Sequence, residues 1–425
     1  MDYSDIRKIV LNKKDEIIEW LKVLISFPSE NKPPHGYEKS AQDFIYNELT
    51  SVGLEVYRFR PDEVLEAVRS KYWLSGRDYS NGRENVVGVW GKEKKSILLS
   101  GHIDVAPKEP GEWSVCTPYS PVQIEDRLYG RGSADMKGGL TSMFWALKIL
   151  KDEGFNPSGK VIFESLVDEE YAGGNGTLAS RYRGFNADVA FLSEPGGMEF
   201  CIASMGAVLG SIKISGKGGM PYTGKGIPNP VNAAGRIITI IEEWEKIWRE
   251  SNSHPLFDSP GKELNVIIWD VVSGKREEFV QMGIPVEVNI SWIVFCYPNT
   301  SEEDIYRNFT TYLEREIRDD DYLKMFDINI EREYHFIRPW ETDKSGSSVE
   351  FFRSIYEEYA GKKITMSGAP FSCDMALYGE PGNMPVVILG PRGGNLHAPD
   401  EWVSIDDILE LTGLYASFII NWCSG

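Results

Sequence analysis

The sequence predicts a large α/β domain interrupted by a small α+β one, on three observations. Up to about residue 205, apolar runs of strand length alternate with segments of helical apolar spacing. Near residue 205 the pattern changes to a strand, a Gly/Pro-rich stretch from Gly216 to Pro230, and then a helix, strand, helix and strand. After His335 the first pattern returns. The expected division is therefore 1–205 and 334–425 for the interrupted domain and 206–333 for the insert.

Each element has its own signal. Residues 5–25 place Ile6, Ile9, Val10, Ile17, Ile18, Leu21 and Leu24 at helical intervals, and 40–52 form a second amphipathic stretch. Val86–Trp90 and Ile97–Leu99 are short apolar runs of the buried-strand kind. Thr141–Lys151 predicts a helix, and Val161–Val167 and Ala187–Leu192 predict strands. In the insert, Val208–Ile214 alternates as a strand and Val231–Trp248 has helical spacing. Val286–Phe295 is a strand, Glu302–Arg318 a helix after the turn at Pro298-Asn299, and Phe326–Glu331 a strand. A helix at 347–360, a strand at Val386–Leu389 and a helix from Ile405 complete the chain.

Composition narrows the function. There are 45 Lys plus Arg against 64 Asp plus Glu, a net charge of −19. Such a surface repels phosphate, which argues against a nucleic-acid or anionic-membrane partner and for a small-molecule substrate. No apolar run approaches the roughly 20 residues of a membrane span. Met1-Asp2-Tyr3-Ser4-Asp5 carries no signal-peptide pattern, and the five scattered cysteines contain no C-x-x-C pair. The expected location is the cytoplasm.

Five segments carry chemistry. Ile97-Leu98-Leu99-Ser100-Gly101-His102-Ile103-Asp104 runs an apolar strand into His-x-Asp; residues two apart on a strand share a face, so Asp104 can orient the His102 ring. Tyr129-Gly130-Arg131-Gly132-Ser133-Ala134-Asp135-Met136-Lys137-Gly138-Gly139 is a tight glycine loop before a helix, read either as a capped turn or as a backbone bent to aim one carboxylate inward. Val167-Asp168-Glu169-Glu170 and Leu192-Ser193-Glu194-Pro195-Gly196 put carboxylates at strand exits, where open α/β sheets place their sites. Gly393-Gly394-Asn395-Leu396-His397-Ala398-Pro399-Asp400-Glu401 is a glycine loop with a second histidine. Imidazole plus carboxylate without thiolate suits Zn²⁺, Co²⁺ or Mn²⁺.

The ordered set His102-x-Asp104, Asp135, Glu169-Glu170, Glu194-Pro195 and His397 resembles the M20 metallopeptidase family, and within it the acetylornithine deacetylase/succinyl-diaminopimelate desuccinylase branch. The resemblance implies a catalytic domain with a mixed, largely parallel sheet flanked by helices, and an insert serving as lid and dimerisation domain. It implies two divalent ions, Zn²⁺ first and Co²⁺ or Mn²⁺ as alternatives. One would be held by His102, Asp135 and Glu194, the other by Asp135, Glu170 and His397, with Asp135 bridging. It further implies Glu169 as general base, Asp104 as the residue orienting His102, a cis Asp135–Met136 peptide, a homodimer, and hydrolysis of the amide bond of a small N-acyl amino acid or amine.

The insert departs from the family pattern. Met220 stands where the family carries a carbonyl-polarising histidine, and Phe295 where relatives often carry an arginine for a substrate carboxylate. Methionine has no N–H to donate. These departures leave open action on a different C–N bond, or slow turnover with a binding role. Tyr222 and Lys225 are the nearby polar residues that could supply the donor; Arg392 and Asn395, in the loop before His397, are the further substrate-binding candidates. Arg392 is expected to anchor a substrate anion, the alternative being an ion pair with one of the chain's many acids. His254, in Ser253-His254-Pro255, is expected to pack or cap a loop.

Overall fold

The computed structural model describes residues 1–92, 95–108, 111–170, 173–220, 226–273 and 283–424, the side chains of 334 and 335 excepted. The chain forms two compact units. The first comprises Met1–Ala203, Glu341–Ala369 and Asp374–Gly425; the second comprises Ser204–Trp340 and Pro370–Cys373.

The sheet of the first unit is mixed and largely parallel, and flanked by helices. Val386–Ile388, Ala190–Leu192, Ser96–His102 and Lys160–Leu166 lie side by side in parallel. Asn85–Gly91 and Glu55–Phe59 continue it antiparallel. The Glu55–Phe59 strand escaped the sequence reading because only Phe59 in it is fully buried. The parallel strands are covered on both faces, which is why their sequences read as unbroken apolar runs. Two helices supply much of the cover: Gly138–Asp152, buried over nearly its whole circumference, and Ile405–Cys423. The expected single helix at 5–25 is two, Tyr3–Asn12 and Lys14–Ser26, because Lys13 leaves helical geometry (φ −100°, ψ 4°).

A small four-stranded sheet, invisible to the sequence reading, bears directly on the site. Gly393–Gly394, Trp402–Ser404, Arg127–Tyr129 and Val122–Ile124 pair antiparallel in that order. The pair Gly394↔Trp402 closes the loop that carries His397, and Trp402↔Tyr129 fastens it to the segment that leads into Asp135. Strands of two or three residues give little periodicity to read.

The second unit has an antiparallel sheet ordered Val266–Ser273, Glu287–Cys296, the Gly206–Ser215 part of the strand Phe200–Ser215, and Asp327–Ile337. Burial alternates strictly along Glu287–Cys296, so one face is packed. The helices Pro230–Ser251 and Glu302–Asp319 contribute Ile237, Ile241, Trp244, Phe309 and Leu313 to the core. Trp244 stacks on Trp248 at 5.2 Å, and Phe309 meets Trp244 and Trp292 at 4.9 and 4.6 Å. The apolar face of the Pro230–Ser251 helix therefore packs within its own unit. His254 caps a turn, its Nδ1 accepting from Leu256 N at 3.3 Å beside the Phe257 and Tyr297 rings.

The start of the Gly138–Asp152 helix touches the strand exit that leads to Glu194. A Cβ on Gly139 would stand 2.1 Å from the Ser193 carbonyl oxygen, which is backbone and cannot swing away. Gly139→Ala is therefore expected to cost about 1–3 kcal/mol through overpacking, read as a lower urea midpoint at unchanged slope. An unchanged midpoint would show that the helix and the strand exit separate freely.

Candidate metal centre

Four of the expected segments leave the C-terminal ends of the four parallel strands. His102 ends Ser96–His102, Glu169 and Glu170 follow Lys160–Leu166, Glu194 follows Ala190–Leu192, and the His397 loop follows Val386–Ile388. The fifth, Asp135, comes from the glycine loop ahead of the Gly138–Asp152 helix. Gly132 there takes φ +77°, a left-handed conformation that suits glycine. The Asp135–Met136 peptide is cis, as the resemblance implies.

The side chains converge on Asp135. His102 Nε2 lies 3.1 Å from Asp135 Oδ1, and His397 Nε2 lies 3.3 Å from Asp135 Oδ2. Glu170 Oε2 is 2.9 Å from His397 Nε2, and its Oε1 accepts from Ala106 N at 2.9 Å. Glu194 Oε2 and Glu169 Oε2 stand 3.7 and 3.9 Å from His102 Nε2. His102, Asp135 and Glu170 each turn one ligand atom to within 4.8 Å of the others.

The electrostatics are those of a site built for cations. Burial would raise the Asp135 carboxyl, but the two imidazoles hold it well below the usual range. Glu170 above all, with Asp135, pushes the His397 imidazole up to about 12. Burial opposes charge on His102, yet Glu194, Asp135 and Glu169 raise it well above the ordinary histidine value. Burial and neighbouring carboxylates push Glu169 and Glu194 up, against the pull of His102.

His102 tests the fit to a metal. Its Nδ1 donates to the Asp104 carbonyl at 2.8 Å, so a neutral ring would turn the lone pair of Nε2 onto the Asp135 carboxylate. In that neutral form two acceptors would face each other across 3.1 Å, so the pair needs a cation between them, a proton in the metal-free protein or a metal ion in its place. The donor set of imidazole and carboxylate oxygen matches a first-row divalent ion.

Asp104 works differently from expectation. Its carboxylate is 3.7 Å from His102 Nδ1, too far for a hydrogen bond; its backbone carbonyl orients the ring instead. The other carboxylate oxygen, Oδ2, accepts from the backbone N–H of Glu169 and of Glu170 at 2.9 and 3.0 Å.

Arg392 is a correction. Its Nε and Nη2 form a two-pronged ion pair with Asp407, each at 2.7 Å, and its N–H donates to the same carboxylate at 2.8 Å. The fork that would have held a substrate anion is taken by the first turn of the Ile405–Cys423 helix. Asn395 donates to the Asp400 carbonyl at 3.1 Å and shapes the His397 loop. Tyr222 and Lys225 lie outside the described residues, and Met220 is exposed.

Two residues went unread. Glu401, fully buried, accepts from the N–H groups of Gly132, Ala134 and Asp135 at 2.9, 3.0 and 3.2 Å and from Arg131 Nη1 at 3.0 Å. It holds the Asp135 loop against the His397 loop. Asp374, held by Thr177 Oγ1 at 2.5 Å, adds to the negative charge felt by Glu169. Asp400-Glu401 looks like a solvated acidic pair, and only the tertiary contacts distinguish it.

Residues 98–421 match the family described as peptidase family M20/M25/M40. The N-formyl-4-amino-5-aminomethyl-2-methylpyrimidine deformylase of Bacillus subtilis is 27% identical, over 99% of this chain and 97% of its own. Succinyl-diaminopimelate desuccinylase 1 of Alteromonas mediterranea is 24% identical, over 80% of this chain and 85% of its own. The solved structure of the dipeptidase Dug1p of Saccharomyces cerevisiae shares the fold, with a TM-score of 0.77 at 14% identity, covering 100% of this chain and 99% of that one. The chain belongs to peptidase family M20/M25/M40 and is a hydrolase of that family. Among its described residues no helix is long and apolar enough to cross a membrane.

Two expectations follow. Metal ligation needs neutral imidazoles, whereas the raised values of His102 and His397 keep both protonated near pH 7 in the metal-free protein. Metal uptake should therefore release protons and weaken as pH falls; calorimetry in buffers of differing ionisation enthalpy reads the release, and none would contradict the charge arrangement. Glu401→Ala strands buried Arg131 and three N–H groups, and should cost about 3–5 kcal/mol and lower metal retention. Unchanged thermal stability and metal content would remove Glu401 from this role.

Proposed function

We propose that this chain is a dinuclear-metal amidohydrolase that removes a small acyl group from an N-acyl amine or N-acyl amino acid. The observation that carries the reading is the Asp135 carboxylate, whose two oxygens each face a different imidazole. On this reading His102, Asp135 and Glu194 hold one ion, and Asp135, Glu170 and His397 the other. Zn²⁺ is the first choice, with Co²⁺ or Mn²⁺ as alternatives. Bound there, the ions polarise the scissile carbonyl and lower the pKa of water.

Glu169 is the general base in this proposal. It stands near the ligands without being one of them, and its raised pKa suits a group that must take up and return a proton. It accepts a proton from the attacking water as the new C–O bond forms, and delivers it to the amine nitrogen as the C–N bond breaks. Asp104 keeps Glu169 and Glu170 in place through their backbone N–H groups.

The relatives direct the choice of substrate. The deformylase matches nearly end to end, the desuccinylase over a smaller share. With Arg392 engaged by Asp407 and Phe295 at the family's arginine position, an uncharged acyl group such as formyl or acetyl fits better than succinyl. We further infer that the Ser204–Trp340 unit is a substrate lid and dimerisation domain, and that the enzyme works as a cytoplasmic homodimer. The wide scatter of the five cysteines, with no C-x-x-C pair, agrees with a reducing compartment.

A panel of N-formyl, N-acetyl and N-succinyl amines, aminopyrimidines included, assayed with Zn²⁺, Co²⁺ and Mn²⁺, tests the reading. Formyl or acetyl release should dominate. Glu169→Gln should retain its metal and lose turnover about 10²–10⁴-fold; a variant that keeps wild-type turnover defeats its role as base, and no hydrolysis anywhere on the panel defeats the function.

A further inference from the structure

Behind the metal centre lies a buried polar chain that the proposed reaction does not use. Asn31, in the short strand Asn31–Lys32, is fully buried. Its Nδ2 donates to Asp104 Oδ2 at 2.9 Å and to Asp168 Oδ1 at 3.2 Å. Its Oδ1 accepts from Arg83 Nη2 at 3.4 Å. The same Arg83 Nη2 pairs with Asp168 Oδ1 at 3.2 Å and with Glu38 Oε1 at 2.7 Å. Tyr79 donates its hydroxyl to Asp168 Oδ2 at 2.6 Å. Glu38, Arg83, Asp104 and Asp168 are likewise 0% exposed.

The chain ends on the backbone that aims the two glutamates. Asp168 takes φ +67°, the left-handed region that non-glycine residues seldom enter. Directly after it the neighbours diverge, Glu169 toward His102 and Glu170 toward His397. Asp104 Oδ2 grips both of their N–H groups from one side, while Asp168 anchors the turn that precedes them. Asn31 is the group that ties these two carboxylates together.

We propose that Asn31 is a positioning residue of the metal centre. A carboxamide is the one side chain of this size that offers two N–H donors to two carboxylates and a carbonyl to a guanidinium. An aspartate would bring a third negative charge against Asp104 and Asp168. An alanine would leave both carboxylates without the shared donor. In either case the Glu169–Glu170 backbone loses its fixed direction, and the fault passes to the metal through Glu170. This inference rests on the reading of the metal centre given above.

The test uses Co²⁺ as the probe, added to metal-free full-length protein and followed by its visible absorption. Asn31→Ala and Asn31→Asp should each weaken Co²⁺ uptake roughly 10–100-fold, the range for residues that orient metal ligands, and alter the band shape that reports ligand geometry. With substrate, kcat should fall more than KM rises. Tyr79→Phe, which keeps the ring but removes the hydroxyl's bond to Asp168 and the one it accepts from Asn175 Nδ2, should shift Co²⁺ affinity the same way by a smaller factor. Folded Asn31 variants with wild-type Co²⁺ affinity and spectrum overturn the proposal, even if their melting temperature drops. Should neither Asn31 variant fold, Tyr79→Phe decides, and wild-type Co²⁺ uptake by it is the overturning result. Failure of the substrate panel bears on the reaction and leaves the Co²⁺ comparison to judge this inference.

Discussion

The sharing of one carboxylate by two imidazoles governs the organisation of the first unit. Asp135 faces His102 with one oxygen and His397 with the other, and Glu169, Glu170 and Glu194 crowd the same space. Carboxylates so placed repel one another, and burial raises the cost of every charge. Two features make such a cluster tenable. One is positive charge at its centre, from protons on the histidines or from metal ions. The other is a scaffold stiff enough that the groups cannot swing apart to escape their neighbours.

The scaffold is the sheet and its covering helices. Parallel strands with apolar side chains on both faces are fixed in register by burial, so the positions at which they end are fixed too. Four of the segments that form the site start from those ends. Asp135 arrives from another direction and needs its own anchorage. The short sheet pairing Trp402 with Tyr129 supplies part of it, and Glu401 gathers the N–H groups of Gly132, Ala134 and Asp135. Lys137, two residues on, is buried with its Nζ on the carbonyls of Leu24 and Phe27 at 3.0 and 2.7 Å, which ties the loop to the end of the Lys14–Ser26 helix. Burial pushes that ammonium down to about 7, a measure of how enclosed the anchor is.

Substrate selection follows a different logic. On the proposed function the reactive groups follow the family pattern, while the residues that would grip a substrate anion depart from it. By the resemblance to the family, Phe295 stands where relatives often carry an arginine and Met220 where they carry a histidine. Arg392, the cation before His397 expected to compensate, secures the start of the Ile405–Cys423 helix through Asp407. On that reading the chemistry of the centre and the chemistry of its specificity are set by separate parts of the chain.

The fold class and the long buried strands and helices were legible in the sequence, and the resemblance to the family pointed to the residues of the centre. Those signals are local: apolar runs bounded by turns, and reactive side chains at the ends of such runs. His102, Glu169, Glu170, Glu194 and His397 stood out as histidines and acids near strand exits and Asp135 as the acid of a glycine loop before a helix, and the resemblance to the family marked them as one set. What only the tertiary structure decided is which polar group answers which. Asp104 serves the Glu169–Glu170 backbone as well as His102, Arg392 turns to Asp407, and Glu401 and Asn31 hold loops far from them in sequence. Such partnerships join residues up to 270 positions apart, as between Arg131 and Glu401. A polar side chain carries no periodic signal of its partner, because the same acid is stable in water or against a buried N–H, and the packing of the whole chain chooses between them.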